Sequence, residues 1–180
     1  MQQRLKMTSF VIPLLGSLIL LLTNSGLNMN GYQDDNGGGL KWTDYTSGVK
    51  EAAATNKKIL IDVYTDWCGW CKKMDSDTYT DKGVSDYLNA KYVLVKLNAE
   101  SSKKESVDNK EVTEAQIASA FGVNGYPTTI FLESDGHPIT MAPGFMKPES
   151  FITVLRYIGD DAYKSMGFQD YQKMQGAAAK

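Results

Sequence analysis

Apolar residues along this chain recur in two rhythms, and the way the rhythms alternate predicts the elements. Residues 59–65 and 92–97 are nearly continuous runs of β-branched, aliphatic and aromatic side chains. Such a run suits a strand in a sheet covered on both faces. Around them the spacing is helical. Residues 43–56 place Val49, Ala52 and Ala53 on one face, with Thr43 as the expected N-cap. Helical signals resume after Cys68 through Lys72, Lys73 and Met74, and again over 84–89, where Val84, Tyr87 and Leu88 share a side. Thr113 and Gln116 have the spacing of a capping box, which opens a helix through Phe121 with Gly122 placed to end it. Residues 128–132 and 138–141 read as strands joined by Ser134-Asp135-Gly136-His137, an Asp-Gly turn. Pro148 suits the first turn of a last helix carrying Phe151, Val154, Leu155 and Ile158.

Two later stretches follow neither rhythm. Residues 99–111 are charged with alternating sign and hold almost no apolar side chain except Val107, so a solvated loop is predicted. Residues 163–180 carry aromatics but end in Gly176-Ala177-Ala178-Ala179-Lys180, a pattern that fits an added helix and a frayed end equally. The order of elements gives an α/β class. A parallel βαβ half comes first and an antiparallel hairpin half second, making a central mixed sheet flanked by helices.

The N-terminal pattern is different. Arg4 and Lys6 precede an apolar run over 10–22, broken by Pro13, Gly16 and Ser17 and followed by Thr23-Asn24-Ser25-Gly26. A basic start, a short apolar centre and small residues at the exit are the layout of a secretory signal peptide. The run is 13 residues long, short of the roughly 20 that a membrane span needs. The expectation is a signal peptide over 1–25, or an N-terminal membrane anchor through residues 10–22 where it stays uncut. With no cysteine there, a lipid-modified cleavage site is excluded. Residues 26–40 are rich in Gly, Asn and Asp and read as a flexible linker. The folded domain is expected over 41–160, with 161–180 as a C-terminal tail.

Composition narrows the function. With 180 residues the chain is the size of one domain. Its 19 basic and 21 acidic residues give a net charge of −2, and losing 1–25 removes two bases and no acid. A mildly acidic protein is a poor nucleic-acid binder. The run Gly37-Gly38-Gly39 has no following lysine or strand–helix context, so it is not a phosphate loop.

The candidate chemistry is Trp67-Cys68-Gly69-Trp70-Cys71, which holds the two cysteines of the chain. Cysteines three apart can close a disulfide on themselves and open it again. The thiolate is the nucleophile, and a helix N-terminus stabilises it through free N–H groups and the helix dipole. Two other readings remain open. Half of a zinc site has the same spacing, but four ligands are needed and the single histidine, His137, is far along the chain. A purely structural disulfide closing four residues would stabilise little.

Four separated motifs in order resemble the thioredoxin family over residues 42–159: Asp62, then Trp67-Cys68-Gly69-Trp70-Cys71-Lys72, then Lys96, then Gly125-Tyr126-Pro127-Thr128. The resemblance implies a thioredoxin-like fold and a role for each residue. Cys68 would be the exposed attacking thiolate and Cys71 the buried resolving thiol. Asp62 would take and return the Cys71 proton, with Lys96 as its partner on the next strand. Pro127 would be a cis-proline presenting backbone to a substrate strand, with Trp67, Gly69, Trp70, Tyr126 and Thr128 forming the substrate-binding rim. Where thioredoxin has Gly-Pro between the cysteines this chain has Gly69-Trp70, which leaves its reduction potential open.

The resulting expectation is a monomeric thiol–disulfide oxidoreductase acting outside the cytoplasm, in the periplasm. Its partners would be disulfide-bearing or dithiol proteins and a redox partner protein, with no cofactor, metal or nucleic acid. The sequence does not fix the direction of electron flow. The rival is a non-catalytic binding module whose disulfide is a redox switch.

Overall fold

The computed structural model describes residues 39–178. The leader expected over 1–25, and the expected linker up to residue 38, lie outside the described residues. The order is β1 (Trp42–Thr43), α1 (Tyr45–Thr55), β2 (Lys58–Tyr64), α2 (Gly69–Lys73), a π-helical turn (Met74–Thr78), α3 (Lys82–Lys91) and β3 (Tyr92–Asn98). There follow β4 (Lys104–Val107), β5 (Lys110–Thr113), α4 (Glu114–Ala120), β6 (Thr128–Leu132), β7 (Pro138–Pro143), α5 (Pro148–Gly159), a 3-10 turn (Ala162–Lys164) and α6 (Phe168–Ala178).

Five strands form one mixed sheet in the order β1-β3-β2-β6-β7. β1 and β2 run parallel to β3, while β2–β6 and β6–β7 are antiparallel. The parallel and antiparallel halves therefore meet at β2, which is buried through its centre. Its side chains alternate between two cores. Ile59, Ile61 and Val63 join Val93, Val95, Leu97, Ile130 and Leu132, with Ala52 of α1 and Ile117 and Ala118 of α4 in the same core. Leu60, with Leu94 and Phe131, packs in the other core with Met74, Tyr79, Leu88, Phe151 and Leu155. Asp62 lies two residues from Leu60, so the pleat turns it toward the face that holds α2 and the π-helical turn.

Several expectations are corrected. Thr43 is not the cap of α1, because its backbone pairs with Val95 in β1. Asp44 caps instead, its carboxylate accepting from the Ser47 N–H at 2.7 Å. The buried face of α1 is Tyr45, Gly48 and Ala52, and Ala53 is exposed. Gly48 stands so close to β3 that an added Cβ would lie 2.3 Å from Val95 Cγ2. Residues 99–111 are not a plain loop. β4 and β5 make a hairpin around Asp108-Asn109, both at positive φ (50° and 63°), the backbone that a tight two-residue hairpin turn demands. Glu105 is buried there because its carboxylate accepts from the backbone and hydroxyl of Thr46 and pairs with Lys103 at 2.9 Å. Leu40, expected in the linker, is in the core. Residues after 160 also pack, since Phe168 and Tyr171 of α6 set their rings against Tyr157 of α5.

The capping box of α4 is formed as its spacing predicts, Thr113 Oγ1 accepting from Gln116 N–H and the Gln116 side chain accepting from Thr113 N–H. Gly122 follows at φ +74°. Among the described residues no helix is long and apolar enough to cross a membrane.

Candidate active site

The C-terminal end of β2 delivers the cysteines. Thr65 C=O accepts from the Cys68 N–H at 3.1 Å, turning the chain out of the sheet, and Cys68 becomes the N-cap of α2. Its Sγ accepts from the Cys71 N–H at 3.1 Å. The two sulfurs are bonded as a disulfide. Cys68 was expected to be exposed, but it is 4% exposed and Cys71 is 3% exposed. With the bond closed, each sulfur covers the other.

Aromatic side chains flank the motif. Trp67 is 67% exposed, its indole N–H donates to both carboxylate oxygens of Glu100 at 3.0 Å, and its ring stands edge-on to Tyr126 at 6.0 Å. Tyr126 precedes a cis bond to Pro127. The contact of Trp67 with Tyr126 sets the loop before β6 beside the cysteine turn. Pro127 has no N–H, and its carbonyl already accepts from the Gly144 N–H at 2.8 Å. The bond ties the end of β7 to this loop, and one lone pair of the Pro127 carbonyl is left over. Thr128 is buried, and its hydroxyl donates to Gly125 C=O at 2.8 Å, so its side chain stays within the loop. Open space surrounds Gly69 where a Cβ would project.

The strand that leads to the cysteines also carries a buried polar cluster. Asp62 is 1% exposed and sits between Lys96 on β3 and Thr129 on β6 in the strand register. Lys96 Nζ donates to Asp62 Oδ2 at 2.6 Å and to Asp75 Oδ1 at 2.5 Å. Burial disfavours the Lys96 ammonium, but the two carboxylates outweigh it and raise its pKa above the ordinary lysine value. Three rings surround the same nitrogen, Trp42 at 4.8 Å, Tyr64 at 5.3 Å and Tyr79 at 5.4 Å. Burial first, and then the charges of Asp62 and Asp75, push the Tyr79 hydroxyl well above its usual pKa. Asp62 Oδ1, the Tyr79 hydroxyl and the Thr129 hydroxyl are all buried without a well-formed hydrogen bond.

The structure brings Cys68 and Cys71 together, pairs Asp62 with Lys96, and sets Trp67 against Tyr126. Sequence reasoning missed Asp75, Tyr79, Glu100 and Phe145. Asp75 lies four residues after Cys71, a helical spacing that could have found it. The others carry no local signal.

Comparison with known proteins agrees with this architecture. The family model for a thioredoxin-like domain matches residues 45–159. Among curated relatives, a thiol:disulfide interchange protein DsbD of Actinobacillus pleuropneumoniae is 28% identical over 111 residues, which is 61% of this chain and 18% of that protein. A protein of the same name from Vibrio cholerae is 30% identical over 119 residues, 65% of this chain and 18% of its own length. The chain therefore spans under a fifth of the curated relatives it matches first. Solved structures share the fold. A thioredoxin-fold protein of Helicobacter pylori superposes with a TM-score of 0.58 at 23% identity, covering 73% of this chain and 92% of the other. A putative disulphide-isomerase of Bacteroides thetaiotaomicron gives 0.55 at 23% identity, covering 73% and 98%. With its match running well over half its length, the chain belongs to the thioredoxin-like family.

Proposed function

We propose that this protein is a thiol–disulfide oxidoreductase that works outside the cytoplasm. The observation that carries the reading is the Cys68–Cys71 disulfide at the start of α2, with Cys68 Sγ held by the Cys71 N–H. An N–H aimed at sulfur stabilises a thiolate, so Cys68 is the nucleophile when the bond is open. Its thiolate attacks one sulfur of a substrate disulfide. A Cys68–substrate bond forms, and the other substrate sulfur leaves as a thiolate. Cys71 then gives its proton to Asp62 and attacks Cys68 Sγ. The Cys68–Cys71 bond closes and the second substrate sulfur leaves. Two electrons pass from the dithiol to the substrate, and a redox partner protein restores them. Run backwards, the same steps oxidise a substrate dithiol.

Lys96 positions Asp62. Trp67, Gly69, Trp70, Tyr126, Pro127 and Thr128 form the rim on which the substrate lies, with the loop at Pro127 presenting backbone to it. Export rests on residues 1–25, with the linker read from the sequence over 26–40; the name thiol:disulfide interchange protein on the relatives supports the same chemistry. The deciding experiment incubates single-cysteine variants with a disulfide-bonded protein. Cys71→Ser is expected to accumulate a mixed disulfide, and Cys68→Ser to form none and to reduce nothing. The opposite pattern reverses the assignment. Turnover of a model disulfide by the unaltered protein separates an enzyme from a redox-switched binder. Export is tested by fusing residues 1–40 to a reporter active only outside the cytoplasm, where an inactive soluble fusion counts against it.

A further inference from the structure

Beside the disulfide stands a second aromatic wall, in which Phe145 joins Trp70 with no sequence motif to announce it. Trp70 is 59% exposed, and its ring lies 5.4 Å from Phe145 at a tilt of 37°. Phe145 comes from the turn after β7, and its neighbour Gly144 has φ +87° and donates to Pro127 C=O at 2.8 Å. Lys73 Nζ stands 5.8 Å over the Phe145 ring while paired with Asp77 at 2.5 Å. The first wall is Trp67 against Tyr126. Both walls are thus tied to the same cis peptide, one through Tyr126 and the other through the Gly144 bond. Cys68 lies in the chain between Trp67 and Trp70, and it is almost covered.

We infer that Trp70 and Phe145 form a specificity wall that reads the side chain next to the substrate cysteine and takes an aromatic or branched apolar one. The inference rests on the oxidoreductase reading and adds the substrate class to it. Its physical basis is the surface on offer. Two tilted rings present apolar area and quadrupole edges, which reward another ring or a branched aliphatic group.

The test uses peptides identical except for Phe or Ser next to a single cysteine. That cysteine is blocked as a disulfide with a chromophoric thiol. The reduced protein attacks the peptide sulfur, and the chromophoric thiolate leaves. The readout is the ratio of rates for two peptides on the same protein, which cancels any change in thiolate reactivity or active fraction. The Phe peptide is expected to react about tenfold faster than the Ser peptide, equivalent to about 1.4 kcal/mol. Trp70→Ala and Phe145→Ala should each bring the Phe/Ser ratio near one, and Trp70→Tyr should keep it. A ratio near one in the unaltered protein, or a ratio preserved in both alanine variants, overturns the wall. If the unaltered protein releases thiol from no peptide and reduces no small aliphatic disulfide, the oxidoreductase reading itself falls.

Discussion

Lys96→Met removes the ammonium that bridges Asp62 and Asp75 and leaves both carboxylates behind. The two losses are unequal. The Asp62 side chain is 2% exposed and its other oxygen has no well-formed hydrogen bond, so the variant strands a buried charge. Removing one partner of a buried pair costs roughly 3–5 kcal/mol. The Asp75 side chain is 29% exposed and rehydrates, so its share is that of a surface pair, under about 1 kcal/mol. The methionine keeps an apolar stem against Trp42, Tyr64 and Tyr79, which offsets part of the lost cation–π attraction. The expected total is about 3–5 kcal/mol, a large share of the roughly 5–15 kcal/mol typical of a domain. The rescue is Lys96→Met combined with Asp62→Leu. Replacing both charges by apolar groups of similar volume is commonly neutral or stabilising by about 1–4 kcal/mol, so the double variant should be more stable than the single. Urea unfolding at neutral pH with the disulfide intact measures both. A loss below about 1 kcal/mol for Lys96→Met, or a double variant less stable than the single, would refute the assignment of Lys96 as the counter-charge of a desolvated Asp62. A folded double variant that resolves mixed disulfides slowly would separate the chemistry of the pair from its stability.

Asp62→Asn should leave the first attack by Cys68 nearly unchanged and slow resolution by at least about tenfold, in line with the 10²–10⁴ usual for general acid–base groups. Stopped-flow kinetics read the two steps apart, and unchanged resolution between about pH 6 and 9 would make Asp62 structural only. Gly48→Ala gains about 1 kcal/mol of helix propensity, yet its Cβ would sit 2.3 Å from Val95 Cγ2. Overpacking costs about 1–3 kcal/mol, so a net loss is expected, relieved by adding Val95→Ala; a stabilised Gly48→Ala would show that α1 yields freely. Lys96 and Tyr79 both have folded pKa values raised above their unfolded ones. Their stabilisation is therefore complete below about pH 10 and is lost as pH rises through the folded values. Unfolding titrations should show stability falling above about pH 10, less steeply in the Lys96→Met, Asp62→Leu double variant, and equal slopes would count against it.

Local chemistry was legible in the sequence wherever the cause was local. The buried β2 and β3, the Thr113–Gln116 box, the Asp135-Gly136 turn and the Cys68–Cys71 spacing all follow from a few neighbouring residues. The motifs that resemble thioredoxin also placed Asp62 and Lys96 on strands that prove to be adjacent and in register. The hairpin at residues 104–113 was hidden because polarity marks exposure only on average. Glu105 is buried by partners 59 positions away, which no window of sequence displays. The cap of α1 shifted from Thr43 to Asp44 because a strand contact with β3 claimed the Thr43 backbone. Only the tertiary structure decided which groups meet around Asp62 and Trp70. The sheet order brings Lys96 and Thr129 to either side of Asp62, the π-helical turn carries Asp75 to the same ammonium, and the bond from Gly144 to Pro127 sets Phe145 beside Trp70. Side-chain type and periodicity report what a residue needs from its surroundings. Which distant residue meets that need is settled by strand pairing and packing, where separation along the chain has no bearing on distance in space.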